Sequence, residues 1–255
     1  MSSLKAVLFD LDDTLIDWSG FKADWAAVEH KHLSGVFNYL CANIHQLPDL
    51  DAYIAEVRSR MMGAWTSARM NLRAPNLGTI LVEAAAALGA PAESLDARRC
   101  LESYAWEAVA GTVGFPDAAE TLKLLAQHGV KVGIVTNAHQ PMWLRDVELR
   151  THGLFDFFPT CRISAADVGY LKPHPAIFQA ALNCTGTNPS ETVFVGDDPE
   201  ADIVGAQAAG LLAVLRRSRR GTGNLSRIVP DEVIDSLAEL PAILDGWYPG
   251  WRNGA

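Results

Sequence analysis

The first strand of the chain constrains the fold more than any other feature of the sequence. Four apolar residues at positions 6–9 run directly into Asp10, and a second acid, Asp12, follows two residues later. A continuous apolar run is typical of a strand that is buried on both faces, as in the centre of a parallel sheet. Ligands of such sheets bind at the carboxyl ends of the strands. We therefore expect Asp10 and Asp12 at the mouth of a crevice.

The two acids also suggest what the crevice binds. Carboxylates this close together repel each other and are costly to desolvate unless they share a cation or a proton. The alternative is that Asp12 and Asp13 are turn residues that accept hydrogen bonds from the nearby backbone. The remaining motifs of the chain favour the first interpretation.

Strands and helices alternate along the second half of the chain. Helices are predicted at residues 117–128, 142–152, 175–184, 199–209 and 237–244. Strands are predicted at residues 130–135, within 157–163, at 192–195 and 211–215, and as a possible edge strand at 233–234. This alternation with right-handed crossovers predicts an α/β fold with a doubly wound parallel sheet. The arginine-rich run 216–220 is expected to be a solvated loop.

The region between residues 21 and 110 has helical periodicity throughout, and its last helix is predicted over residues 94–109. About ninety residues of helix inserted after one strand predict a second, smaller, all-helical domain. We place this domain at residues 19–111 and the α/β core at residues 1–18 and 112–255. Glycine-containing linkers flank the insert and could serve as a hinge or be plain loops.

Composition limits the partners that are expected. The chain has 21 Lys and Arg against 30 Asp and Glu, a net charge of −9, which argues against non-specific binding to nucleic acid or an anionic membrane. No apolar run approaches the roughly 20 residues that span a bilayer, and the first strand follows so early that a signal peptide is not expected. Four scattered cysteines are expected to be reduced thiols of a cytoplasmic protein, a monomer or homodimer.

Polar residues follow four predicted strands or lie in the loops beside them. The set is Asp10 with Asp12, Thr136 with Asn137, Lys172, and Asp197 with Asp198 and Asp202. The carboxyl ends of parallel strands converge, so these groups should share one site. A carboxylate cluster suits magnesium, and a lysine and a hydroxyl beside it suit a bound phosphoryl group.

The segments FDLDDTL, IVTN, LKPHP and VGDDPEAD, in this order, resemble the motifs of the haloacid dehalogenase (HAD) superfamily, in particular its phosphatases. The resemblance covers residues 1–20 and 111–245, and the helical insert resembles the helical cap of that family in position and size. It implies a Rossmann-like core with a cap. It also implies a magnesium-dependent phosphatase that hydrolyses a small soluble phosphate monoester, a phosphorylated metabolite, through an aspartyl-phosphate intermediate.

The resemblance implies a role for each motif residue. Asp10 would be the nucleophile, and Asp12 the general acid that later acts as a base on water. Magnesium would be held by Asp10, the backbone carbonyl of Asp12, and Asp197. The Thr136 hydroxyl and the Asn137 backbone would hold phosphate oxygens. Lys172 would neutralise charge on the phosphate and on Asp10. Asp198 and Asp202 would orient metal-bound waters or Lys172.

The presence of Asp12 helps to distinguish between the reactions that members of this family catalyse. Haloacid dehalogenases lack this acid, because a departing halide needs no proton whereas an alkoxide does, so Asp12 favours phosphate-ester hydrolysis. Phosphomutase or phosphotransferase activity on a sugar phosphate uses the same acid and stays open, as does a binding module that has lost catalysis. Trp18, Arg69 and Arg73 are candidates for substrate contact, with cap packing for Trp18 and solvent exposure for the arginines as the alternative. His139 could touch substrate or be a loop residue without a role.

Overall fold

The structure is a computed structural model that describes residues 3–218 and 227–253 of the chain. Its strands, in chain order, are β1 (Ala6–Phe9), β2 (Ile16–Asp17), β3 (Val113–Gly114), β4 (Lys131–Thr136), β5 (Cys161–Ser164), β6 (Thr192–Gly196), β7 (Leu212–Arg216) and β8 (Glu232–Ile234). Among the described residues, six of them form one sheet in the order β5-β4-β1-β6-β7-β8, and all neighbours are parallel.

Helices cover both faces of this sheet. The helices of the described residues are α1 (Trp25–Asn43), α2 (Leu50–Asn71), α3 (Leu77–Ala87), α4 (Ala97–Tyr104), α5 (Ala118–Gln127), α6 (Met142–Thr151), α7 (Ala165–Val168), α8 (Pro175–Thr185), α9 (Gly205–Ala208) and α10 (Leu240–Trp247). Side chains alternate between the faces of a strand. Val7 and Phe9 accordingly pack with α5, α6 and α10, whereas Leu8 packs with α8 and α9. The predicted doubly wound α/β fold is confirmed.

Helices α1 to α4 pack around a hydrophobic core of their own. Its fully buried residues include Leu33, Val36, Leu40, Tyr53 and Leu81. The prediction of a helix over residues 94–109 was too long. Helix α4 begins after Asp96, whose side chain accepts hydrogen bonds from two backbone N–H groups, and it ends where Ala105 adopts φ 47°. The domain boundaries at residues 18/19 and 111/112 remain our proposal.

The two segments that join the helical insert to the sheet pair with each other. Strands β2 and β3 are antiparallel, with Ile16 opposite Gly114 and Asp17 opposite Val113. Further into the insert, the backbones nearly touch: a Cβ on Gly20 would lie 2.4 Å from the carbonyl oxygen of Gly111. Both glycines are therefore required by a close backbone approach rather than by a flexible loop.

A third connection joins the insert to the sheet domain. The loop between α2 and α3 meets the loop after α7, where the Leu171 N–H donates to Leu72 O at 2.8 Å and the Ala74 N–H donates to Gly169 O at 3.1 Å. The Arg73 guanidinium lies over the Tyr170 ring, 4.7 Å from its centre. The insert therefore contacts the loop that leads directly into Lys172.

The arginine-rich run 216–220 was expected to be a solvated loop, and this is wrong for its first residue. Arg216, at the end of β7, is buried, donates to Thr14 O at 2.8 Å and pairs with Asp117, whereas Arg217 is exposed and pairs with Asp235. Arg219 and Arg220 lie outside the described residues. None of the described helices is long and apolar enough to cross a membrane.

Candidate active site

Three adjacent strands bring the sequence motifs together at one edge of the sheet. Asp10 follows β1, Thr136 ends β4, and Asp197 follows β6, and these strands are neighbours in the order β4-β1-β6. A cavity of about 720 Å³ opens there, and it is bordered by all the predicted site residues: Asp10, Asp12, Thr136, Asn137, Lys172, Asp197, Asp198 and Asp202. The structure therefore places these residues together around one cavity, as the sequence predicts.

Lys172 is the buried cation of the cavity floor. Its Nζ lies 2.6 Å from Asp10 Oδ1 and 2.7 Å from Asp202 Oδ1. Burial alone would lower the pKa of Lys172, but the two carboxylates raise it above its ordinary value, so the side chain stays charged.

The Asn137 side chain holds the backbone of Lys172 in place. The Lys172 N–H donates to Asn137 Oδ1 at 2.7 Å, and Asn137 Nδ2 donates to Lys172 O at 3.2 Å. The sequence suggested a role for the Asn137 backbone only. The side-chain role could not be found from sequence, because it depends on two loops 35 residues apart meeting.

The carboxylates are more numerous than one lysine can neutralise. Oxygens of Asp10, Asp197 and Asp202 lie within 4.8 Å of one another. Burial raises the pKa of Asp10 to about 7 against the attraction of Lys172, and burial together with Asp10 and Asp202 raises the pKa of Asp197 to about 8. Such a crowded set of oxygen donors fits a hard dication such as magnesium, which prefers carboxylate oxygens.

The members of this cluster are not equally available to a cation. Asp202 uses one oxygen toward Lys172, and its Oδ2 accepts the Asp198 N–H at 3.0 Å. Asp198 Oδ1 accepts the N–H groups of Glu200 and Ala201, each at 2.9 Å, and so caps the helical turn Pro199–Val204. The Asp197 carboxylate accepts no hydrogen bond from the described part of the chain. Asp197 and Asp10 are therefore the side chains best placed to ligate a metal.

Gly196 is required for Asp202 to approach the lysine. A Cβ on Gly196 would lie 2.2 Å from Asp202 Oδ2. We expect Gly196→Ala to destabilise the fold by roughly 1–3 kcal/mol, because the buried carboxylate would have to move. The matched control is Gly63→Ala, since Gly63 lies within α2 and a Cβ there meets nothing within 4 Å. That change should stabilise by roughly 0.5–1 kcal/mol. Urea denaturation measures both, and a neutral Gly196→Ala would contradict the packing described.

Asp12 also borders the cavity, and it belongs to a hydrogen-bonded chain that the sequence did not predict. Its Oδ1 accepts from Trp18 Nε1 and from Arg145 Nη2, each at 2.8 Å. Arg145 is buried and also pairs through Nε with Glu148, which accepts the Trp106 indole N–H at 3.2 Å. Arg145 and Glu148 stand three apart on α6, a spacing shared by many surface ion pairs, so the sequence carried no distinctive signal.

The candidates for substrate contact separate into two groups. Trp18 borders the cavity, as do Trp25, Trp106 and His139. Burial lowers the pKa of His139 to about 4, so its imidazole is neutral near pH 7. Arg69 and Arg73 are exposed and do not border the cavity, and Arg73 instead covers Tyr170.

Comparison with known proteins matches most of the chain to one family. The family model described as "haloacid dehalogenase-like hydrolase" matches residues 4–210. Among curated proteins, Pyrophosphatase PpaX of Bacillus cereus is 37% identical over 127 residues, 49% of this chain and 56% of that protein. The chain thus spans about half the length of the curated relatives it matches.

Solved structures resemble the whole chain. A HAD phosphatase from Thermococcus onnurineus is 26% identical with a TM-score of 0.61, and the match covers 95% of this chain and 99% of that one. A 2-haloacid dehalogenase from Pseudomonas syringae pv. tomato is 27% identical with a TM-score of 0.63, covering 96% and 99%. The two neighbours carry different activities in their names, so overall similarity does not distinguish ester hydrolysis from dehalogenation.

Proposed function

Because the chain belongs to the haloacid dehalogenase-like hydrolase family, we propose that it is a magnesium-dependent phosphatase. The proposed reaction hydrolyses a small soluble phosphate monoester through an aspartyl-phosphate intermediate. The observation that supports it is Asp12, which faces the same cavity as Asp10, Thr136 and Lys172. An alkoxide leaving group needs a proton donor at this place, whereas a halide does not.

The proposed roles follow from the positions of the side chains. Asp10 attacks phosphorus, because it borders the cavity and Lys172 fixes one of its carboxylate oxygens at 2.6 Å. Lys172 neutralises charge on Asp10 and on the phosphoryl oxygens, and Thr136 with the Asn137 backbone binds those oxygens. Asp12 protonates the leaving alkoxide and then takes a proton from the attacking water.

Magnesium would be held by Asp10, the Asp12 backbone carbonyl and Asp197. When bound, it would neutralise charge on the phosphoryl group and polarise the phosphorus. Asp202 orients Lys172, and Asp198 fixes the helical turn that carries Asp202. Such a cation would offset the negative charge of the carboxylates and so favour binding of an anionic phosphate ester.

A substrate panel tests the proposal and its rivals. Purified protein with magnesium is assayed with an aryl phosphate, an alkyl phosphate, inorganic pyrophosphate and a 2-chloro acid. Pyrophosphate is included because a relative is named a pyrophosphatase. Phosphate release from the esters is expected, and chloride release is not. Transfer of phosphate to an added sugar phosphate instead of water would favour the phosphomutase alternative, and binding without turnover would favour a module that has lost catalysis.

The proposed metal ligands predict a stability change that does not depend on turnover. Adding magnesium chloride should raise the melting temperature of the wild-type protein, because a cation bound only by the folded state relieves the repulsion among Asp10, Asp197 and Asp202. Asp197→Asn should be at least as stable as wild type without metal, but its melting temperature should respond far less to magnesium. Sodium chloride at equal ionic strength is the control. An equal magnesium response in both proteins would exclude Asp197 as a ligand.

A further inference from the structure

We propose that Arg145 and Trp18 are positioning residues that hold Asp12 by Oδ1 and thereby place its acidic proton on Oδ2. This assignment rests on the proposed function, in which Asp12 is the general acid. It adds two residues to the proposed active site: Arg145 from α6 and Trp18 from the segment that enters the helical insert. Neither residue is assigned to contact the phosphoryl group.

The two oxygens of Asp12 have unequal surroundings. Oδ1 accepts two short hydrogen bonds, from Trp18 Nε1 and Arg145 Nη2 at 2.8 Å each, whereas Oδ2 accepts one longer hydrogen bond, from Arg145 Nη1 at 3.3 Å. Both partners of Oδ1 are obligate donors. A proton on Oδ1 would forfeit two short hydrogen bonds, whereas a proton on Oδ2 forfeits only the longer one, so we assign the proton of the general acid to Oδ2.

Arg145 is itself anchored by a buried acid, so it can fix Asp12 in turn. Its side chain is 5% exposed, and its Nε pairs with Glu148, which is fully buried. The Trp106 indole N–H donates to the same Glu148 oxygen at 3.2 Å. The planar guanidinium keeps its charge and its geometry throughout a proton transfer at Asp12.

The position of Asp12 separates this arrangement from an ordinary core ion pair. The Asp12 side chain is 34% exposed although its partner is buried, and both residues border the cavity that contains Asp10 and Lys172. The network therefore fixes a carboxylate that borders the same cavity as the proposed nucleophile.

The same contacts fit both proton transfers. In the first step Asp10 attacks phosphorus, the bond from phosphorus to the alcohol oxygen breaks, and the Oδ2 proton passes to the departing alkoxide. Asp12 is left as a carboxylate, which the Arg145 guanidinium stabilises. In the second step Oδ2 takes a proton from the water that attacks the aspartyl-phosphate. Phosphate leaves, and Asp10 and neutral Asp12 are restored.

The network also couples the acid to the helical insert. Trp18 lies in the segment that enters the insert, and Trp106 lies in the segment that leaves it. Their indole N–H groups end the chain Trp18–Asp12–Arg145–Glu148–Trp106. The orientation of Asp12 therefore depends on how both linkers sit against the sheet domain.

The test compares leaving groups rather than overall activity. We measure KM and, by rapid quench, the rate of alcohol release in the first turnover for wild type, Arg145→Gln and Trp18→Phe with an alkyl phosphate and an aryl phosphate. Loss of a positioned acid should lower the first-turnover rate for the alkyl ester at least about tenfold more than for the aryl ester, whose leaving group needs little protonation. KM should change little, because neither residue is assigned to bind phosphate. Arg145→Lys keeps the positive charge but lacks the planar pair of N–H donors, so it should recover part of the rate lost in Arg145→Gln.

Two further variants separate positioning from folding. Arg145→Gln leaves Glu148 buried without its cation, so the double variant Arg145→Gln/Glu148→Gln is measured beside it and should have the same leaving-group dependence. Trp251→Phe is the matched control for Trp18→Phe, because the Trp251 indole donates to Asp245 at 2.7 Å and lies outside the cavity. It should leave both kinetic constants unchanged.

The outcomes distinguish this assignment from the proposed function. Equal losses of the first-turnover rate with both esters, or a change confined to KM, in variants that remain folded by circular dichroism would overturn the assignment while the phosphatase proposal stands. A folded wild-type protein that hydrolyses neither ester with magnesium would overturn the proposed function and this assignment with it.

Discussion

Asp10→Asn is expected to lower kcat for every phosphate ester by on the order of 10⁴- to 10⁶-fold, the scale of losing a covalent nucleophile. An amide oxygen can still accept the hydrogen bond that Lys172 Nζ donates to Asp10 Oδ1 at 2.6 Å, but it cannot attack phosphorus. The substitution also removes one negative charge from the crowded group with Asp197 and Asp202. The folded state should therefore survive, and its melting temperature should not fall.

The measurement is phosphate release at saturating substrate, with circular dichroism to verify folding. Asp96→Asn is the matched control, because Asp96 caps α4 and does not border the cavity, and asparagine caps helices equally well. It should keep full activity. Activity near that of wild type in Asp10→Asn would contradict the covalent mechanism, since no other group on the cavity floor is proposed as the nucleophile.

The elements that carry Asp10, Thr136 and Asp197 could be predicted because each depends on a short stretch of sequence. Apolar runs mark β1, β4 and β6, and a parallel sheet then brings their carboxyl ends together whatever the loops do. The contact between Lys172 and Asp10 was expected from the family resemblance, and in the structure Nζ lies 2.6 Å from Oδ1. The fold class and the assembly of these residues at one edge were therefore accessible from sequence.

Other features depend on long-range packing that leaves no local pattern. Arg145 meets Asp12 across 133 positions of sequence, and nothing on α6 marks it as different from a surface arginine. Strands β2 and β3 have two residues each, too few for periodicity to register. Helix α4 stops at Tyr104 because the chain turns there to bury Trp106 beside Glu148, although the following residues could have continued a helix.

Asp12→Ala is expected to slow turnover of an alkyl phosphate by roughly 10²- to 10⁴-fold, the contribution of a positioned general acid. Unlike Asp10→Asn, it leaves the nucleophile intact, and the proposed metal ligand at this position is the backbone carbonyl, which alanine retains. Arg145 keeps its partner Glu148, so the change should not leave a buried cation unpaired. The stability response to magnesium should accordingly persist in this variant.

The leaving group decides whether Asp12 has the proposed role. With an aryl phosphate the first step needs little acid, so Asp12→Ala should still be phosphorylated on Asp10, whereas hydrolysis of the intermediate lacks its base and becomes slow. The phosphorylated enzyme should therefore accumulate, and intact mass spectrometry after a rapid acid quench should detect one added phosphoryl group. The double variant Asp10→Asn/Asp12→Ala should show none. Equal rate losses for both esters, with no trapped species, would mean that Asp12 neither protonates the leaving group nor activates water.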